Sequence, residues 1–253
     1  MFITPSTFTH TPKRIISLVP SITELLYSFG LEAETIGITK FCVHPTHWHK
    51  NKKRIGGTKN VQIETIQKLQ PDLIICSKEE NIQEQIDLLA ADFPVLLTDV
   101  KNYDDALQMI LTLGKICNKE NEAVQITNTI QNNFSKIIIK QKINAAYLIW
   151  KNPYMTIGGD TFIHDMLLKA GFNNLYENKN RYPEITIAEL QAANCQLLLL
   201  SSEPYPFAQK HIKELQLFLP NTKILLADGE FFSWYGSRMV DAPQYFNTLL
   251  QSL

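Results

Sequence analysis

Cysteine, surplus charge and long apolar runs are all scarce in this chain, and each scarcity closes off a class of function. The four cysteines, Cys42, Cys76, Cys117 and Cys195, are scattered over 253 residues. That argues against a disulfide framework and against paired-cysteine zinc motifs, and the thiols are expected to behave as small buried hydrophobes. Lys and Arg number 24 against 25 Asp and Glu, a net charge of −1, so neither nucleic acid nor an acidic membrane is an expected partner. No run reaches the ~18 apolar residues of a membrane span. Met1 to His10 has neither a basic nor an apolar stretch and does not read as a secretory signal. Motifs of chemistry are missing too: no G-x-S-x-G elbow, H-E-x-x-H helix, Walker loop or Rossmann fingerprint occurs. The chain is therefore not expected to be an enzyme, and a nucleotide-sugar transferase is set aside. Gly56-Gly57-Thr58 and Gly158-Gly159-Asp160-Thr161 read as tight turns, and His164 and Asp165 as a solvated helix face.

What is present is an internal repeat. Ile63–Ser77 and Ile187–Ser201 each read as a short amphipathic helix, a break, and a buried apolar strand ending in Ser; Pro94–Asp99 and Lys223–Asp228 form a second matched pair at nearly the same separation. This period is longer than the ~20–50 residues of a solenoid repeat and suits two whole lobes. Strands at Arg14–Val19, Thr35–Ile38, Leu73–Ser77 and Pro94–Val100 alternate with helices, so the expected sheets are mostly parallel and covered on both faces. Ser21 to Glu24 reads as a capping box opening the first helix. Ala123, Ile126, Ile130, Phe134 and Ile137 recur at helical spacing, predicting one long helix over Asn121–Ile143. The expected fold class is α/β: two doubly wound lobes, residues 1–118 and 144–253, joined by a backbone helix in 119–143, with a ligand cleft between them.

Candidate contacts are aromatic. Phe231, Phe232, Trp234 and Tyr235 follow a strand end with no period that would bury them all, and exposed aromatics on a loop mark recognition. Trp150 ends its strand, Tyr182 precedes Pro183, and Phe41 follows the strand at Thr35–Ile38. Ligands of open parallel sheets bind beyond the carboxyl ends of the strands, so these side chains are expected to converge. Phe41 to His49 also packs Cys42, His44, His47 and His49 together. The segment reads as an irregular loop or as a metal-binding stretch. If it touches a metal, His44 and Cys42 are the expected donors, while His47 and His49, beyond Pro45, face solvent.

Arg14–Leu26, Gly37–Pro45, Ile63–Leu73 and Met155–His164 resemble substrate-binding proteins of ABC importers. More closely they resemble the helical-backbone metal receptors, which bind cobalamin, haem and ferric siderophores. The resemblance runs from Arg14 to the last helix and implies a monomeric, non-enzymatic carrier at the periplasmic or cell surface, with an ABC permease and ATPase complex as partner. It implies no permanent cofactor but a metal-containing ligand: a corrinoid, haem or ferric siderophore. By position, Glu64 and Glu189 match the residues that dock on the permease. Phe41, Tyr182 and the segment Glu230–Trp234 match ligand contacts. Thr58 stands where that family has a cleft Trp, and Glu230-Phe231 where it has Asp-Trp. The second reading is a leaderless cytoplasmic protein of the same fold that handles a metal or corrinoid.

Overall fold

The computed structural model describes residues 1–253, which cluster into two units. The first comprises Met1–Val100, Asp104–Gln131 and Tyr235–Val240; the second comprises Lys101–Tyr103, Asn132–Trp234 and Asp241–Leu253. Tyr235–Val240, expected within the C-terminal lobe, thus clusters with the first unit.

In the first unit β1 (Ile15–Ser17), α1 (Pro20–Ser28), β2 (Thr35–Ile38), α2 (Thr46–Asn51), β3 (Lys53–Arg54), α3 (Ile63–Leu69), β4 (Leu73–Ser77), α4 (Gln83–Asp92) and β5 (Val95–Thr98) follow one another. The five strands are parallel, in the order β3-β2-β1-β4-β5. Parallel strands covered on both faces read as continuous apolar runs, and Leu73–Ser77 is buried throughout. Ile16, Ile74 and Cys76 share one core with Ile66 of α3 and with Ile86 and Leu89 of α4. Each such fully buried aliphatic chain contributes ~1.5–3 kcal/mol.

The expected capping box at α1 is a correction. The helix starts at Pro20, with Val19 as its uncapped N-cap, because proline at the first helical position is already preorganised and has no N–H to satisfy. The Thr23 hydroxyl instead donates to the Val19 carbonyl and to Ser17 Oγ, and Glu24 is engaged elsewhere by Arg238.

Two helices follow, α5 (Tyr103–Ile116) and α6 (Glu120–Phe134). The single helix expected over Asn121–Ile143 is a second correction, since α6 stops at Phe134 and Ile143 opens a strand. The cause is local. Ile137, Ile138 and Ile139 are β-branched and poor helix formers, and the backbone beyond Phe134 finds other partners. Ile138 N–H donates to Asn247 Oδ1 at 3.0 Å, and Asn247 Nδ2 donates to the Lys136 carbonyl. Phe134 packs edge-on against Tyr103, with centroids 4.9 Å apart.

The second unit contains β6 (Ile143–Leu148), β7 (Tyr154–Met155), α7 (Phe162–Lys169), β8 (Phe172–Asn174), β9 (Glu184–Ile185), α8 (Ile187–Ala192), β10 (Leu197–Ser201), α9 (Gln209–Gln216), β11 (Lys223–Ala227), α10 (Glu230–Ser233) and α11 (Ala242–Gln251). Its parallel sheet runs β11-β10-β6-β8, and β7 pairs antiparallel with β9. Taken in chain order, β2-β1-β4-β5 and β8-β6-β10-β11 are the same arrangement, so the repeat legible in the sequence is a repeat of topology. It reaches into the loops: the Glu79 N–H donates to Ser77 Oγ at 3.1 Å, and the Glu203 N–H to Ser201 Oγ at 3.3 Å. No helix is long and apolar enough to cross a membrane.

Candidate functional site

In the first unit the carboxyl ends of β1 and β2 enclose a buried polar knot. Thr23 Oγ1 lies 3.1 Å from Cys42 Sγ, and Thr39 Oγ1 lies 3.2 Å from the same sulfur. Burial pushes the Cys42 thiol up to about 11. The expected metal role of Cys42 is corrected on geometry: its sulfur is fully buried between the two hydroxyls and offers no exposed face to a metal. Cys76, Cys117 and Cys195 are likewise free and buried.

The histidine-rich stretch is irregular only as far as Pro45; from Thr46 it forms α2. Trp48 explains why: its fully buried ring packs edge-on to Tyr27 at 5.5 Å, with Lys52 Nζ 5.0 Å from the ring centre. This anchor leaves His44 half-buried and His47 exposed. His47 rests against Tyr27, and His49 Nδ1 lies 3.2 Å from the Cys42 carbonyl. Phe41, just past β2, is 50% exposed.

In the second unit Trp150, just past β6, is 41% exposed and edge-on to Tyr205 at 5.7 Å. Tyr182 is half-buried, with the Arg181 guanidinium 5.4 Å from its ring centre. The aromatic run differs from the open loop expected. Glu230–Ser233 forms one helical turn, and a turn sorts successive side chains onto different faces. Phe231 is half-buried and stacks on Tyr245 at 4.7 Å. Phe232 is fully buried between Tyr147 at 5.2 Å and Phe246 at 4.8 Å. Trp234 is buried, its Nε1–H donating to Glu203 Oε1 at 2.9 Å. Tyr235 is buried in the first unit, its hydroxyl beside Ser77 and Thr98. Phe232, Trp234 and Tyr235 are therefore corrected from open-loop contacts to buried side chains.

Glu203 was not anticipated. Its Oε1 also accepts from Ser233 Oγ at 2.6 Å. Burial pushes the carboxyl up from its ordinary range, Glu230 and Asp228 add repulsion, and the Ser233 and Trp234 donors oppose the rise. The missed signal was the repeat itself, since Ser77-Lys78-Glu79 and Ser201-Ser202-Glu203 end the matched strands alike. Glu230 is half-buried, and its N–H donates to Asp228 Oδ1 at 3.2 Å.

Glu64 lies in the first turn of α3 and Glu189 in the first turn of α8, both exposed. They differ in what holds them. Glu189 closes a capping box in which the Thr186 N–H and hydroxyl both donate to Oε2, at 2.6 and 2.9 Å. These bonds to the charged form hold its carboxyl below the usual range. Of the expected residues, the first unit holds Phe41, Cys42, His44, Glu64 and Tyr235. The second holds Trp150, Tyr182, Glu189, Glu230, Phe231, Phe232 and Trp234.

Comparison with known proteins places this geometry. The vitamin B12-binding protein of Pectobacterium carotovorum subsp. carotovorum (strain PC1) is 23% identical over 251 residues, covering 96% of this chain and 90% of that protein. The uncharacterised ABC transporter substrate-binding lipoprotein YvrC of Bacillus subtilis (strain 168) is 28% identical over 188 residues, 69% of this chain and 59% of that one. The solved periplasmic vitamin B12-binding protein BtuF of Vibrio cholerae shares the fold with a TM-score of 0.80 at 20% identity, over 95% of this chain and 97% of the other. The family described as periplasmic binding protein matches residues 15–221. The chain belongs to that family, whose members are the non-enzymatic solute-binding components of ABC transporters.

Proposed function

We propose that this protein binds a flat metal chelate, a corrinoid before others, and delivers it to an ABC permease outside the cytoplasm. One observation carries the reading: each unit presents a large, half-exposed aromatic ring just past the carboxyl end of a parallel strand, Phe41 after β2 and Trp150 after β6. Aromatic faces bury much area with few rotamers to freeze, which suits a broad, flat ligand. Tyr182 and Phe231 add half-buried rings to the second unit's contribution. His44, half-buried next to Phe41 and the buried knot, is the side chain proposed to reach a chelated metal from the axial direction.

A ligand that binds only the folded state raises stability by about 2.7 kcal/mol at a hundredfold excess over Kd. Thermal unfolding with cobalamin, cobinamide, haem and a ferric hydroxamate should therefore show an upward shift for a corrinoid. The shift should shrink in Phe41→Ala and Trp150→Ala, and His44→Ala should alter the visible spectrum of the bound corrinoid. A melting curve unmoved by all four chelates would sink the reading.

Glu64 and Glu189 are the proposed contacts with the permease, on the strength of their exposure at the starts of matched helices. Exposed charges at a docking surface set encounter and register rather than small-ligand affinity. The double variant Glu64→Gln, Glu189→Gln should keep chelate affinity unchanged and lower the salt-sensitive rate of association with permease vesicles. Loss of chelate binding in that variant would count against the docking role.

A further inference from the structure

Beside Phe41 the first unit builds a platform out of the tight turn that follows β3, in which the Gly57 N–H donates to the Asn60 carbonyl at 2.9 Å. The Lys40 N–H donates to the Gly56 carbonyl at 2.8 Å, bringing the Lys40–Phe41 pair over the Gly56-Gly57 turn. At Gly57 an added Cβ would sit 3.1 Å from Phe41 Cε2 and 3.4 Å from Lys40 Cε. Gly56 has a φ of +101°, but Gly57 has no left-handed φ. Backbone conformation does not ask for the second glycine; it is a bare floor on which the phenyl ring and the lysine stem both lie, and a Cβ there would push both side chains outward by a few tenths of an ångström. The ammonium ends 5.0 Å from the Phe41 ring centre.

Lys40 is exposed and makes no ion pair. Other lysines just past strand ends are neutralised: Lys78 by Asp99 at 2.8 Å, and Lys151, next to Trp150, by Glu214 at 2.6 Å. Of the two half-exposed rings, one therefore carries an uncompensated cation at its edge and the other does not. A neutral rim placed on Phe41 could only accept a hydrogen bond from that ammonium and a cationic rim would be repelled, whereas a carboxylate or phosphate would gain a charge-assisted hydrogen bond and an ion pair together.

We propose that Lys40, held on the Gly57 floor beside Phe41, is a specificity-determining residue that selects metal chelates bearing a peripheral anionic group. This rests on the chelate-binding reading above. Two matched pairs of probes separate the charge from the macrocycle: cobalamin, which carries a phosphodiester, against cobinamide, which lacks it, and haem against its dimethyl ester. Calorimetric titration of the whole chain should favour the anionic member of a pair by about tenfold, the lower range for a hydrogen bond to a charged group. That preference should fall as salt rises. In Lys40→Gln that preference should shrink by about the same factor, with the affinity of the member lacking the anionic group kept. Gly57→Ala should weaken both members of a pair alike, because it lifts the ring and leaves the charge. An equal ratio in wild type and Lys40→Gln overturns the inference alone. Failure of all four chelates to bind the wild type overturns the binding reading and this inference with it.

Discussion

Replacing Phe232 with alanine should lower the unfolding free energy by ~3–5 kcal/mol, the usual cost of emptying a buried phenyl site. The ring has no exposed surface and lies between Tyr147, Phe246 and, at 6.2 Å, Tyr245. These neighbours come from β6 and α11, so collapse around the void would require moving a strand or a helix rather than one side chain. The measurement is denaturant unfolding, read as a shift in midpoint at constant slope. Below the shifted transition the variant should retain chelate affinity. A variant of unchanged stability that has lost its ligand would show that Phe232 faces the ligand after all.

Separating Glu24 from Arg238 should come close to the same size. The guanidinium grips the carboxylate in a fork, with Nη2 at 2.6 Å from Oε1 and Nε at 3.0 Å from Oε2, and the two side chains are only 19% and 17% exposed. Removing one partner of a buried pair costs about 3–5 kcal/mol, because the survivor keeps its desolvation penalty. With some exposure left, Glu24→Gln or Arg238→Met should fall at the lower end. A double-mutant cycle decides whether the pair is the cause. The double variant should lose clearly less than the sum of the singles, and strictly additive losses would show that each residue acts through other contacts.

Much of the architecture was legible because the core of a two-sided parallel sheet writes itself as uninterrupted apolar runs. Thr35–Ile38 and Leu73–Ser77 are strands with the bounds read from the sequence, and the matched segment Lys223–Asp228 is a strand to Ala227. The repeat was legible for the same reason. What misled were places where a local pattern had two physical outcomes. Ser21 and Glu24 have capping-box spacing, yet Pro20 had already begun the helix and Arg238, far along the chain, claimed the acid. The apolar period of α6 continues through Ile137, but the pattern does not record that Asn247 of α11 satisfies the backbone beyond Phe134. Phe231 to Tyr235 looked like a recognition loop because no period of either kind fits them. A single helical turn followed by a change of unit buries three of the four rings, and no periodicity argument sees a change of unit. The metal-ligand spacing of the same stretch is broken twice: Cys42 is buried against Thr23 and Thr39, and Trp48, by its own burial, pulls His47 and His49 into α2.

The placement of Tyr235–Val240 has a consequence for biosynthesis. The first unit is discontinuous, and its last piece arrives only near the end of the chain. A ribosome that has released residues 1–131 has delivered the whole five-stranded sheet but neither Arg238 for Glu24 nor the Tyr235 ring that lies beside Ser77 and Thr98. Gly236, whose Cβ position is 3.5 Å from the Ser21 carbonyl and Leu25 Cβ, arrives equally late. The first unit is thus kept incomplete until translation is nearly over. Neither half should behave as an independent fragment when expressed alone, although each carries a sheet of its own.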